Sequence, residues 1–223
     1  FMGLVGSEMC IRDRYIHAKN TPNKAAFIMA SNGKITTYKE LDERSNQIAH
    51  LFRARGLKVG DGISLFMENN SRFLEICWAA QRSGLYFTPI SSRLTAGEVE
   101  YIHRDCNSKL IISSSYLAST AKDLVKMTTY TPNHLMVDGT EEGWESFEIA
   151  IEEFPKTPIN DEEMGQDMLY SSGTTGKPKG IRIPLKNIPI EQSEGLMGIV
   201  TTLYKTNSDT IYLSPAPLYH AAP

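Results

Sequence analysis

The residues best suited to chemistry form one loop, Tyr170-Ser171-Ser172-Gly173-Thr174-Thr175-Gly176-Lys177-Pro178-Lys179-Gly180, set between the apolar runs Met168-Leu169-Tyr170 and Ile181-Arg182-Ile183. Hydroxyls, glycines and two lysines in one turn suit an anion of the phosphate class. Glycine lets the backbone approach a ligand, and successive N–H groups in such a turn make a concave anion nest. Lys177 and Lys179 add point charges, and Pro178 between them stiffens the turn. The loop is not a Walker A sequence, which needs G-x-x-x-x-G-K followed by Ser or Thr. Pro178 follows Gly176-Lys177 here, and Ser171 stands where the first glycine belongs. The Ile181 to Ile183 run also reads as a strand, whereas a P-loop enters a helix. A Ser/Gly-rich surface linker is disfavoured because apolar runs flank the loop.

Such a loop needs a sheet to hold it, and the chain before it supplies one. Ala25 to Met29 reads as a strand, Ser31-Asn32-Gly33 as a hairpin turn and Lys34 to Thr36 as its return. Thr37 with Glu40 is a capping box, and Tyr38, Leu41, Ile48, Leu51 and Phe52 follow at helical spacing until Gly56. Ile63 to Met67 is a buried strand. Asn70 or Ser71 opens a helix bearing Phe73, Leu74, Cys77 and Ala80, which ends at Gly84. Leu85-Tyr86-Phe87 is the next strand. Thr95 with Glu98 caps a helix through Val99, Ile102 and His103. Strand Leu110 to Ile112, a helix around Tyr116 to Met127 and strand Leu135 to Val137 continue the alternation. The expected fold class is therefore α/β, with mainly parallel sheets flanked by helices. Residues 141–166, rich in acids and with two prolines, read as a surface excursion. A helix is expected from Lys186 to Tyr204. Strand Thr210 to Leu213 then leads into the proline-rich loop 214–223, at a strand's carboxyl end where open α/β sheets bind ligands.

Composition narrows the function classes. Hydrophobic residues at 41% and charged residues at 22% fit a globular chain with an ample core. A net charge of −3 argues against general nucleic-acid binding and points to small-molecule partners. Three cysteines, Cys10, Cys77 and Cys106, lack metal spacing, and their odd count argues against a disulfide framework, which favours a cytoplasmic setting. No apolar run reaches membrane-spanning length. Residues 1–14 fit no periodic pattern and are expected to be a non-native or disordered leader. Both ends look cut.

The glycine, hydroxyl, lysine and proline order of 171–180 resembles the signature loop of the adenylate-forming enzymes: acyl-CoA synthetases, adenylation domains and luciferases. Three further stretches resemble motifs of that family in the correct order, namely Thr37-Tyr38-Lys39-Glu40-Leu41, Ala79 to Ile90 and Pro217-Leu218-Tyr219-His220. The resemblance covers residues 15–223 as the N-terminal part of an AMP-binding (adenylation) domain. It implies ATP-dependent conversion of a carboxylic acid, fatty or otherwise apolar, to an acyl adenylate and then to acyl-CoA. ATP, Mg2+ and coenzyme A are the implied cofactors and co-substrates. Carried over position by position, Ser172, Gly173, Thr174, Thr175, Gly176 and Lys179 would hold the β- and γ-phosphates, and the point charge of Lys177 adds to that cofactor-binding set. Ser171 offers its hydroxyl to the metal ion, and His220 borders the acyl pocket as a catalytic-site residue. A loop histidine bonded to a neighbouring carbonyl is the bland reading of His220. His17, His50, His103 and His134 lie outside every motif and read as surface or packing residues, as do Trp78 and Trp144 for packing.

The family often carries a histidine soon after the phosphate loop. Pro184-Leu185-Lys186-Asn187 stands there, and only Asn187 fits. The later motifs for adenine, ribose, the acidic metal ligand and the C-terminal lysine have no counterpart among these residues, so the fragment alone is expected to be inactive. A peptide-synthetase-type adenylation domain and a truncated, non-catalytic phosphate-binding remnant are the alternatives.

Overall fold

A computed structural model describes residues 2–4, 11–171, 177–185, 205, 207 and 210–220. Among these, a seven-stranded sheet runs in the order β10-β9-β5-β4-β6-β7-β8. Its strands are β4 (Gly62–Phe66), β5 (Tyr86–Ile90), β6 (Ser108–Ser114), β7 (His134–Val137), β8 (Glu145–Ser146), β9 (Gln166–Ser171) and β10 (Lys179–Arg182). Every pairing is parallel except β9 with β10, which form an antiparallel hairpin. The expectation of a mainly parallel sheet between helices is met. A second, antiparallel sheet has the order β11-β1-β2-β3, built from β1 (Met2–Leu4), β2 (Ala25–Ile28), β3 (Ile35–Thr37) and β11 (Ile211–Leu213). The backbone at 2–4 thus pairs with β2 and β11, within the stretch that composition sets apart as a leader.

Side-chain alternation divides the core between the two faces of the large sheet. Ile63, Leu65 and Met67, with Leu110, Ile112, Leu135 and Val137, meet α2 (Tyr38–Ala54), α3 (Ser71–Arg82) and α6 (Phe147–Glu152). Phe66, Ile111 and Met136 meet α4 (Ala96–Asp105) and α5 (Ala118–Met127) on the other face. Helix α1 (Ile11–Asn20) lies against α2.

Local signals set the helix ends. Thr37 accepts from the Glu40 amide at 3.2 Å while Glu40 accepts from the Thr37 amide at 2.8 Å, closing the expected capping box. At α4, the Glu98 carboxylate accepts from the Thr95 amide and hydroxyl at 2.8 and 2.7 Å. Asn70 caps α3 through the Arg72 amide at 2.9 Å.

Three expectations are corrected. The segment 141–166 is no surface excursion: Trp144, Phe147, Ile151 and Ile159 are buried. A spacing of four places Phe147 and Ile151 on one side of α6, against the α2–α3 face of the core. Trp144 lies just before β8 and packs on the α5 face, where its indole donates to the Ala121 carbonyl at 3.1 Å. Tyr116 precedes α5 in a separate 3-10 turn, Ser115–Leu117, and is exposed. Strand β5 runs past Phe87 to Ile90 through Pro89; β9 pairs only with Tyr86 and Phe87, so the proline falls where that flank is open. The helix expected from Lys186 to Tyr204 lies outside the described residues apart from their neighbours at 185 and 205.

Candidate functional site

Strand β9 runs parallel to β5 and β4, so Ser171 finishes at the same edge of the sheet as Ile90 and Phe66. That edge is the carboxyl one, where doubly wound sheets bind ligands. Ser171 pairs in register with Lys179, which makes β9 and β10 an antiparallel hairpin at this edge. Of the residues expected to hold phosphate, Lys177 and Lys179 are described and exposed, whereas Ser172, Gly173, Thr174, Thr175 and Gly176 lie outside the described residues. The Ser171 hydroxyl donates to the Lys179 carbonyl at 3.4 Å, so it also ties the base of the hairpin.

Several contacts that sequence reading did not identify fix this hairpin. Helix α4 grips both arms. The Tyr170 hydroxyl donates to Asp105 at 2.6 Å on one arm, and the Tyr101 hydroxyl donates to the Pro178 carbonyl at 3.4 Å on the other. Burial, followed by the bond to Asp105, pushes the Tyr170 phenol upward, which keeps it a donor. The Lys177 ammonium stands 5.1 Å from the centre of the Tyr101 ring. Beyond the loop, Arg182 stacks on Tyr86 at 4.2 Å and donates to the Gly60 carbonyl at 3.1 Å, while the Tyr86 hydroxyl donates to the Ile183 carbonyl at 2.8 Å. Tyrosines at 86, 101 and 170 share no local pattern that would have flagged them; their common partner exists only after folding.

Gly165 determines where β9 enters. Its amide donates to the Gln81 carbonyl at 2.7 Å, and a Cβ there would collide with the carbonyls of Leu85 and Ala80. Only glycine permits so close a passage.

His220 sits on the loop after β11, exposed, with its ring 4.7 Å from that of Tyr219. Its backbone amide donates to the Pro217 carbonyl at 3.1 Å. The loop is held from below by Asn69, three residues past the end of β4, whose side chain donates to the Ala216 carbonyl and accepts from the Leu218 amide. His220 therefore belongs to a segment anchored at the carboxyl edge of the sheet's interior strand. His103 and His134 are buried packing residues, and Trp144 is buried too, in keeping with their reading. Among the described residues no group of three or more His, Cys, Asp or Glu could hold a metal ion.

A family model described as AMP-binding enzyme matches residues 15–223. A fatty acid–acyl-carrier-protein ligase of Streptomyces coeruleorubidus is 30% identical over 166 residues, which cover 74% of this chain and 31% of the relative. A feruloyl-CoA synthase of an Amycolatopsis species is 28% identical over 207 residues, 92% of this chain and 38% of the relative. The crystal structure of the anthranilate CoA ligase AuaEII in complex with anthranoyl-AMP superimposes with a TM-score of 0.66 at 23% identity, over 80% of this chain and 34% of that one. The chain thus spans roughly a third of the length of these relatives.

Proposed function

The chain belongs to the AMP-binding enzyme family, and from that membership we propose that the protein activates a carboxylic acid with ATP and transfers the acyl group to a thiol. In the first step a carboxylate oxygen bonds to the α-phosphorus, the bond from that phosphorus to the β-phosphate bridge breaks, and pyrophosphate leaves. In the second a thiolate sulfur bonds to the carbonyl carbon and AMP departs with the anhydride oxygen. Neither step requires a covalent enzyme intermediate, so the protein's share is orientation and charge stabilisation. The observation that carries this reading is the β9–β10 hairpin. It sets Ser171 in register with Lys179, with Lys177 just before β10, on the carboxyl edge of a parallel sheet.

In this reading the 172–176 backbone and the two lysines hold the β- and γ-phosphates. Lys179 is the principal cation, because pairing in β10 fixes its backbone. Ser171 is exposed and offers one neutral oxygen to magnesium, which commonly keeps several waters and binds substrate phosphates; the ion would neutralise charge on the departing pyrophosphate. His220 borders the acid, and the small residues after it suit an apolar acyl group. The thiol is coenzyme A or the thiol of a carrier protein, as in the relatives' names. The residues for adenine, ribose and the final lysine are assigned to sequence beyond this chain, which alone is proposed to bind phosphate without turnover. Among the described residues no helix is long and apolar enough to cross a membrane.

Exchange of labelled pyrophosphate into ATP tests the proposal, using the polypeptide at the length of its relatives and a panel of aliphatic, aromatic and amino acids. Acid-dependent exchange is expected, strongest with an apolar acid. Exchange with amino acids alone would replace the acyl reading by a peptide-synthetase one, and no exchange with any acid would overturn the activity.

A further inference from the structure

Tyr101 touches the phosphate-loop hairpin twice. Its ring lies under the Lys177 ammonium at 5.1 Å and its hydroxyl donates to the next residue's carbonyl, that of Pro178, at 3.4 Å. Four residues further along α4, one helical turn away, Asp105 accepts from Tyr170. Tyr170 is the last residue before Ser171, and Pro178 the last before Lys179, so α4 meets both arms of the hairpin at the base of the loop. Helix α4 is itself rigidly placed, with Val99 and Ile102 buried against the sheet and Glu98 closing its N-terminus on Thr95.

We propose that Tyr101 is a positioning residue for the phosphate loop: it fixes the Lys177-Pro178 exit on α4 before nucleotide binds. The inference rests on the reading of residues 171–179 as the phosphate site. A cation over an aromatic face is a modest attraction that a triphosphate readily outcompetes, so Lys177 is held near its working place without being withheld from the ligand. Pinning the loop exit beforehand lowers the ordering cost at binding, which is how preorganisation raises affinity. The aromatic body of Tyr101 is partly buried against the α4–α5 core. Leucine at this position keeps much of that packing while removing both the ring face and the hydroxyl, and phenylalanine removes the hydroxyl alone.

The test is calorimetric titration of MgATP onto the polypeptide at the length of its relatives, for wild type, Tyr101→Phe and Tyr101→Leu, with thermal melts to verify folding and NMR of the Lys177 ε-methylene. Tyr101→Leu is expected to weaken binding about 3- to 10-fold, with Tyr101→Phe between it and wild type, the range that loss of a cation–π contact and one long hydrogen bond allows. The upfield ring-current shift of Lys177 should persist in Tyr101→Phe and vanish in Tyr101→Leu. Equal affinities for wild type and Tyr101→Leu, or a Lys177 resonance indifferent to Tyr101, would overturn the positioning role while leaving the phosphate site standing. A wild-type chain that keeps the Lys177 shift yet does not bind MgATP would instead overturn the phosphate reading, and this inference with it. Should Tyr101→Leu melt early, the Tyr101→Phe arm decides alone, since losing only a hydroxyl spares the packing.

Discussion

The Asn69 side chain holds the Leu218 amide at 2.8 Å and the Ala216 carbonyl at 3.2 Å, an amide group paired with backbone as a neighbouring strand would be. The clamp joins the end of β4 to the loop that carries His220. If that loop borders the acid, Asn69→Ala should raise the KM for the acid about tenfold in the exchange assay, since two hydrogen bonds of about 1 kcal/mol each are lost and part of that is recovered by water. The KM for ATP should move less. Asn69→Asp keeps the acceptor for Leu218 and should fall between. An acid KM that stays put in Asn69→Ala would separate the clamp from acid binding.

Lys179 gives the sharpest test of the phosphate reading. A charge-assisted hydrogen bond contributes about 1.5–3 kcal/mol, or about 10- to 100-fold in rate. Lys179→Ala should lower pyrophosphate exchange by that factor in the protein at full family length, with the fold retained because the side chain is exposed. Lys177→Ala should cost less, because its place precedes the strand that fixes the backbone of Lys179. An unaltered exchange rate in Lys179→Ala would remove the residue from the site.

How much of this was legible beforehand varies with the distance along the chain over which each feature is encoded. The capping boxes at Thr37–Glu40 and Thr95–Glu98 span three positions and appear in the structure as read. The buried strands β4, β6 and β7 announce themselves by apolar runs of β-branched and aliphatic residues. The stretch 141–166 does not show its burial in sequence, because its acids and prolines hide a helical spacing only six residues long at α6, and the burial of Trp144 depends on α5. The contacts that hold the site were invisible for the same reason at larger scale. Asn69 and Leu218 are 149 positions apart, and Tyr101 and Pro178 are 77 apart. A motif shows which residues do chemistry, but not which distant side chains keep them in place.

His103 makes the stability of the domain depend on pH. It is fully buried, with Nδ1 3.0 Å from the Ser64 hydroxyl, Nε2 without a hydrogen-bond partner among the described residues, and the Tyr130 ring 5.9 Å away. Cys106 and Ser108 complete this polar pocket around Ser64. Burial first, and then the nearby His134, depress its pKa from 6.5 to about 4. The unfolded chain therefore binds the proton more readily than the folded one below pH 6.5. The contribution of neutral His103 is complete above that pH and shrinks as pH falls towards 4, by about 3 kcal/mol at an order of magnitude. Denaturant unfolding of wild type and His103→Gln across this range should show wild type losing more stability on acidification. Parallel curves for the two proteins would mean that His103 does not titrate in this way.

Gly165 links the stability of the sheet to the placement of the phosphate loop. Alanine there would set its methyl against the Leu85 carbonyl and 2.6 Å from the Ala80 carbonyl, both backbone and neither able to swing aside. Relief requires the start of β9 to move away from β5, where Gln166 pairs with Tyr86 and donates to the Leu85 carbonyl at 3.0 Å. Overpacking of this sort costs about 1–3 kcal/mol, and Gly165→Ala should lose at least that in denaturant unfolding. Because β9 carries Ser171 and the loop beyond it, MgATP affinity should fall in the same variant even where the protein remains folded. Gly97→Ala is the control. Its new methyl meets only the end of Met127, at 3.8 Å, inside α4, where alanine is the better helix former by about 1 kcal/mol. A Gly165→Ala protein as stable as the Gly97→Ala one would show that the strand's entry has more freedom than its backbone contacts allow.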